Sequence, residues 1–194
     1  LVINPEKYGL PTNNMVGLSL DIPFRQHLKP LHVLFPKTSR LGVLFHPQKS
    51  NEVQAQLKKD AKTLGITIIS ETVHSEQDVP KALNAIKNHI DALWLLPDST
   101  VLTEHTLDFL ISSTLEANIP VVGFSAGLVK SGAAVGAYIH YADSGEQAAH
   151  LTQQLVGQFS PSLLGTLRPP DRVYQSINQK SARYLIVSLT PDVL

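Results

Sequence analysis

The chain contains no cysteine. That absence removes thiol nucleophiles, disulfides and cysteine-ligated zinc together, and it fits the periplasm as readily as the cytosol. Long apolar runs are missing too: nothing approaches the ~18 residues that a membrane-spanning helix needs. The opening LVINPEKYG has neither the basic nor the apolar segment of a secretory signal. There is no excess charge of either sign, with 16 Lys+Arg against 16 Asp+Glu, and like charges do not run together. A phosphate backbone or an acidic membrane surface is therefore not an expected partner, and nucleic acid is set aside. Internal repeats and low-complexity segments are absent. The first residue is Leu rather than Met, which predicts a processed, trimmed or partial chain.

What is present is an ordinary globular composition, 43% hydrophobic and 16% charged over 194 residues, enough for one full core with an appendage. The organising stretch is Asp91 to Gly132. Two apolar runs, Ala92 to Leu96 and Val121 to Phe124, each stop at small polar residues, as buried parallel strands do. Between them Leu107, Leu110, Ile111, Thr114 and Leu115 recur at helical spacing, so the unit reads strand, crossover helix, strand. The loops Pro97-Asp98-Ser99-Thr100 and Ser125-Ala126-Gly127 then emerge on one sheet edge, the carboxyl edge where open α/β sheets bind ligands.

Met15 to Leu20, Leu41 to Phe45, Ile66 to Ile69 and Ala133 to Ile139 are further strand candidates, and Leu1 to Asn4 reads as the tail of another. Helices are expected over 22–35, with Pro30 kinking the first near Gln26, over 51–64 closed by Gly65, over 79–89 and over 143–158. Five strands alternate with helices, which predicts an α/β fold, a doubly wound parallel five-stranded sheet. Residues 160–170 read as a linker, and Val173 to Ile177 with Ser181 to Val187 as a short apolar pair outside the main sheet. Trp94 reads as core, and His27, His32 and His105 as helix surface.

Gly123-Phe124-Ser125-Ala126-Gly127 fits the G-x-S-x-G hydrolase elbow at a strand-to-helix turn. The acid and histidine that must follow are available only as Asp143 and His150 on one helix, and no glycine-rich oxyanion loop exists. The competing reading is a polar loop whose hydroxyl and N–H groups hold a ligand. Asp98, Ser99 and Thr100 suit a zwitterion or small anion, with a plain helix N-cap as the structural alternative. His46, His140 and Asp98 end strands on one edge, but loop histidines without an H-x-x-x-H pair make a weak metal set. No metal, cofactor or catalytic residue is assigned.

Four segments in order, SRLGVLFHP, LWLLPDSTV, IPVVGFSAGLVKSGA and HYADSGEQAA, resemble the ABC transporter substrate-binding proteins of the tryptophan/tyrosine-binding type. NNMVGLSLDIP is similar to their interlobe crossover and DRVYQSINQKSARYL to their return segment. The resemblance implies a type I periplasmic-binding-protein fold, whose two lobes close over a small molecule and hand it to a permease. It implies a periplasmic place, or anchorage on the outer side of the inner membrane. On this reading 1–35 is a remnant of the first lobe and the crossover, 36–160 the ligand-binding lobe, and 161–194 linker and return segment, with most of the first lobe missing. By position, Asp98, Ser99, Thr100, Ser125, Ala126, Gly127, His140 and Tyr141 would line the cleft. Where the family has Asp before Tyr-Tyr, this chain has His140 followed by Tyr141-Ala142, so the acidic partner of a ligand ammonium is gone and His140 is expected to face Asp98 and Ser125. The ligand class is amino-acid-like or a small anion. A sensor domain and a serine hydrolase through Ser125 are the alternatives, and a second copy is a candidate to cover the uncovered edge.

Overall fold

The computed structural model describes residues 9–10, 12–157 and 161–185. The expected strand at Leu1 to Asn4 lies outside them. The chain divides into two compact units. The larger takes Phe24–Ala137 and then the segment from Gln175 onward, while the smaller takes the chain up to Pro23 and Tyr138–Tyr174.

The larger unit is built on a six-stranded sheet of order β3-β2-β4-β5-β6-β8. Its strands are β2 (Arg40–Phe45), β3 (Thr67–Thr72), β4 (Ala92–Trp94), β5 (Val121–Gly123), β6 (Val135–Tyr138) and β8 (Tyr174–Ile177). The pairs β2/β3, β2/β4, β4/β5 and β5/β6 are parallel. The expected five strands are thus present with one addition, because residues 174–177 join the main sheet beside β6 rather than standing outside it. Helices α1 (Phe24–Leu34), α2 (Pro47–Thr63), α3 (Val79–Ile86), α4 (Glu104–Glu116), α5 (Ala126–Lys130) and α7 (Gln179–Tyr184) complete the unit.

The apolar strands are continuous in sequence because both sheet faces are buried. Leu41, Val43 and Phe45 of β2, with Trp94, Val122 and Val135, join Phe24, Leu28, Leu31, Leu57 and Ala182 in one cluster. Leu44, Leu93 and Val121 join Val79, Leu83, Ile86, Leu110 and Ile111 in the other. Alternation along the strands sorts the side chains, at ~1.5–3 kcal/mol for each large one fully buried. Gly42 is small for the same reason: a Cβ there would stand 2.5 Å from Ile90 Cδ1.

Two aspartates bracket β4. At its amino end Asp91 accepts from Ser39 N (2.9 Å), Arg40 N (2.9 Å) and Arg40 Nη2 (2.6 Å), pinning the start of β2. Partial burial pushes its carboxyl up, but Arg40 and Ser39 together pull it down to about 2. Asp98 repeats the device at the other end.

Several boundaries differ from the sequence reading. Helix α1 runs through Pro30, and the expected break near Gln26 does not divide it. Helix α2 begins at Pro47, four residues early, because His46 Nδ1 accepts from Gln48 N (3.2 Å) as an N-cap and Pro47 needs no N–H donor there. Gly65, at φ +70°, ends it as expected. Residues 181–184 belong to helix α7 rather than a strand, because Asn178 Oδ1 accepts from Lys180 N (3.0 Å) and Ser181 N (3.1 Å) and starts a turn of helix. Residues 186–187 lie outside the description. The return segment is latched: Asn178 Nδ2 donates to Val129 O (2.6 Å) and Ser181 Oγ to Gly132 O (2.7 Å).

The smaller unit pairs β1 (Val16–Leu18) in parallel with β7 (Thr166–Arg168) and adds α6 (Tyr141–Gly157). The stretch expected to be a linker over 160–170 therefore contains a strand, and α6 starts two residues before its expected position. Leu18 and Leu151 are buried, and Arg172 Nη1 bridges Asp143 (2.9 Å) and Glu146 (3.3 Å).

Candidate functional site

In the larger unit the strand order reverses around β2: β3 lies to one side of it, and β4, β5 and β6 follow on the other. The loops leaving the carboxyl ends of β2 and β4 therefore diverge at a switch point, the place where doubly wound sheets open a crevice for ligands. The first turns at His46 straight into α2, and the second is Pro97–Thr103.

Asp98 fixes their shape. It is 2% exposed, and its carboxylate accepts from Ser50 Oγ (2.6 Å), His46 N (2.8 Å) and Thr100 N (2.9 Å). Burial pushes its carboxyl up, yet the hydroxyl of Ser50 and the N–H groups of His46, Thr100 and Val101 hold it below the usual range. The sequence reading places Asp98 among groups that meet a ligand. The structure instead spends its oxygens on staking the β4 loop to the start of α2. Ser99 and Thr100 are not the N-cap of α4 either. Thr103 holds that position, accepting from Thr106 N (3.2 Å), which leaves the two earlier hydroxyls for other work.

Lys49, in the first turn of α2, takes them up. Its Nζ donates to Ser99 Oγ (3.0 Å) and Thr100 Oγ1 (2.7 Å). Lys49 lies fifty residues away in sequence with no local motif to mark it; the pairing of β2 with β4 brings it there. Beside it, the His46 ring meets His74 edge-on, with centroids 5.8 Å apart. Because His46 Nδ1 is an acceptor, the neutral ring carries its proton on Nε2 and presents a donor. Among the described residues no group of three His, Cys, Asp or Glu could hold a metal ion.

Ser125, Ala126 and Gly127 follow β5 on the same sheet edge. Ser125 Oγ accepts from Leu128 N (3.1 Å), so the hydroxyl caps α5. Asp143 and His150, the candidate triad partners, lie in the smaller unit, where they share a surface pocket with Arg172. The Tyr174 hydroxyl and Arg172 hold the Asp143 carboxyl below its ordinary value. Among the described residues no basic side chain hydrogen-bonds the Ser125 hydroxyl. His140 and Tyr141 also belong to the smaller unit rather than to the one carrying Asp98 and Ser125. The His140 ring packs edge-on against Tyr174 at 4.4 Å and Tyr138 at 5.4 Å, while Tyr141 is 70% exposed at the start of α6.

Of the three histidines expected on helix surface, one is buried. His105 is exposed and His32 half-buried, but His27 is 8% exposed and packs tilted against Trp94 at 4.9 Å, while Trp94 stacks on Phe24 at 5.0 Å. Burial lowers His27 to about 4, and its Nδ1 has no partner.

A family model described as ABC transporter substrate binding protein matches residues 5–194. Among solved structures, a conserved domain protein from Vibrio cholerae O1 biovar El Tor is 26% identical at a TM-score of 0.68, with 92% of this chain and 60% of that one covered. An ABC domain in complex with L-Trp from Streptococcus pneumonia is 19% identical at a TM-score of 0.72, over 98% and 68%. The ligand-free, open structure of a substrate binding protein with adhesive properties from Clostridium difficile is 21% identical at a TM-score of 0.79, over 97% and 66%. These last two likenesses carry the fold: mixed α/β with a parallel sheet, like one lobe of a type I periplasmic binding protein. The chain spans 60% to 68% of the length of the three. No match was found among curated proteins.

Proposed function

Because the chain belongs to the ABC transporter substrate binding protein family, we propose that it contributes a solute-binding lobe to a transport system and performs no chemistry of its own. The ligand is a small molecule, amino-acid-like or a small anion, held at the carboxyl edge of the larger unit's sheet. Ser99 and Thr100 contact it, with the Ser125–Gly127 turn on the same edge, and Asp98 acts behind them by holding the loop. A permease receives the solute on the outer side of the inner membrane. No helix among the described residues is long and apolar enough to cross a membrane.

One observation carries the reading. At the switch point two hydroxyls accept from Lys49, and among the described residues neither donates its own proton to a protein acceptor, so both are left with a donor to offer. In a binding crevice such donors fix the orientation of a ligand whose remaining surface is held by shape. The test is a 15N HSQC titration with L-tryptophan and with aliphatic L-amino acids. Amides of His46, Gln48, Lys49 and residues 98–100 and 125–128 are expected to shift in a saturable way; shifts confined to other parts of the chain would refute the placement.

A further inference from the structure

The side chains of Lys49, Ser99, Thr100 and His46 each keep a hydrogen-bond donor at the switch point. Lys49 makes two hydrogen bonds and has a third N–H left. The Ser99 and Thr100 hydroxyls each accept from that ammonium, which turns their own protons outward from it. The neutral His46 ring offers Nε2–H. Lys49 forms no ion pair among the described residues, and the carboxylate nearest in the network, Asp98, is buried and already accepts three hydrogen bonds. The charge also stands at the wrong end of its helix for stability: a cation in the first turn of α2 opposes the helix dipole, and that turn holds no acid to offset it. A lysine that served only to tether the β4 loop would be better placed against a carboxylate than against two hydroxyls.

We propose that Lys49, Ser99 and Thr100 form an oxyanion subsite, which receives the carboxylate or phosphate of the solute. The proposal rests on the solute-binding reading and narrows it to ligands with a compact anionic group. The oxyanion takes the free N–H of Lys49 and the two hydroxyl protons as three charge-assisted or polarised hydrogen bonds, a set that a neutral or cationic group cannot satisfy.

The test is a 15N HSQC titration of the full chain with indole-3-propionate, tryptamine and inorganic phosphate. The first two share a ring system and carry opposite charges. Indole-3-propionate or phosphate is expected to shift the amides of Lys49, Ser99 and Thr100, and whichever acts at the lower concentration identifies the carboxylate or the phosphate as the natural group. Tryptamine is expected to leave those amides in place. Lys49→Met should weaken anion binding at least tenfold, and Lys49→Arg, which keeps the charge, should stay within a few-fold of the wild type. Should Lys49→Met fail to fold, Lys49→Gln takes its place. Equal shifts with tryptamine, or anion binding indifferent to Lys49→Met, would overturn the oxyanion subsite and leave the solute-binding edge standing. Silence at His46, Gln48, Lys49 and residues 98–100 and 125–128 with all three probes would overturn both.

Discussion

His27 makes the stability of the larger unit depend on pH, in a direction and size that follow from its burial. It lies between Phe24 and Leu31 on the buried face of α1, its ring tilted against Trp94 and its Nδ1 unpartnered. Charging it there means desolvating an imidazolium, which lowers its pKa from 6.5 to about 4. A depressed histidine contributes fully above its unfolded pKa; as pH falls below ~6.5 the unfolded chain takes up a proton that the native state refuses. Stability is therefore lost between about 6.5 and 4. At ~1.4 kcal/mol per unit the whole loss is ~3 kcal/mol, of which ~2 kcal/mol is already gone at about pH 5. For a chain of this size that is a fall of ~4–8 °C in Tm. Urea unfolding of the wild type and of His27→Phe, at about pH 7.5 and 5, measures it, because the carboxylates and other histidines titrate in both and cancel in the difference. Trp94 is the sole tryptophan, so its fluorescence follows the unfolding at the site itself. Phe keeps a ring against Trp94 and removes the titrating group, so its curve should fall by ~2 kcal/mol less over that interval. Parallel losses in the two proteins would refute the argument.

Asp98→Asn should destabilise by ~3 kcal/mol in urea, since an amide faces N–H donors that a buried carboxylate had satisfied, and a loss below ~1 kcal/mol would show the staple to be dispensable. Ser125→Ala removes an N-cap and should cost ~1 kcal/mol in the same assay. The wild-type Ser125 should stay unlabelled by a fluorophosphonate probe, because an unactivated hydroxyl is a poor nucleophile, and stoichiometric labelling lost in Ser125→Ala would reinstate the hydrolase reading. Gly42→Ala drives a methyl into Ile90 and should cost ~1–3 kcal/mol by thermal unfolding, with an unchanged Tm counting against the close packing of β2 on that face.

The sheet was legible because its strands are buried on both faces, so Leu41–Phe45, Ala92–Leu96 and Val121–Phe124 stand out as uninterrupted apolar runs. The start of α2 was not: capping by a histidine lies outside the usual Ser, Thr, Asp and Asn signals, and His46-Pro47 read as a loop. His27 was misread from its residue type, although its spacing from Phe24 and Leu31 places it on the buried stripe. β7 is three residues long and polar in part, and its pairing with β1 some 150 residues earlier leaves no local mark. At the site, Ser99 and Thr100 could be picked out from the strand end that precedes them, whereas Lys49 needed the register of β2 on β4. Asp98 shows the converse: strand-end position marks a residue as poised for function, yet only the donors around it reveal that its charge is consumed within the fold.

The sixth strand of the sheet comes from chain that has already left. After β6 the polypeptide passes through the whole of the smaller unit's 138–174 segment before β8 returns to its place. Strands β2 to β5 can zip together in the order in which a ribosome releases them, but the last edge must wait for that excursion to close, at an entropic cost of ~3 kcal/mol. Until then the carbonyls of Val129 and Gly132, later taken by Asn178 and Ser181, face water, and the border of β6 stays open to a foreign strand. The vulnerable interval thus runs from the release of β6 to the docking of β8, and a chaperone that shields β6 would act there.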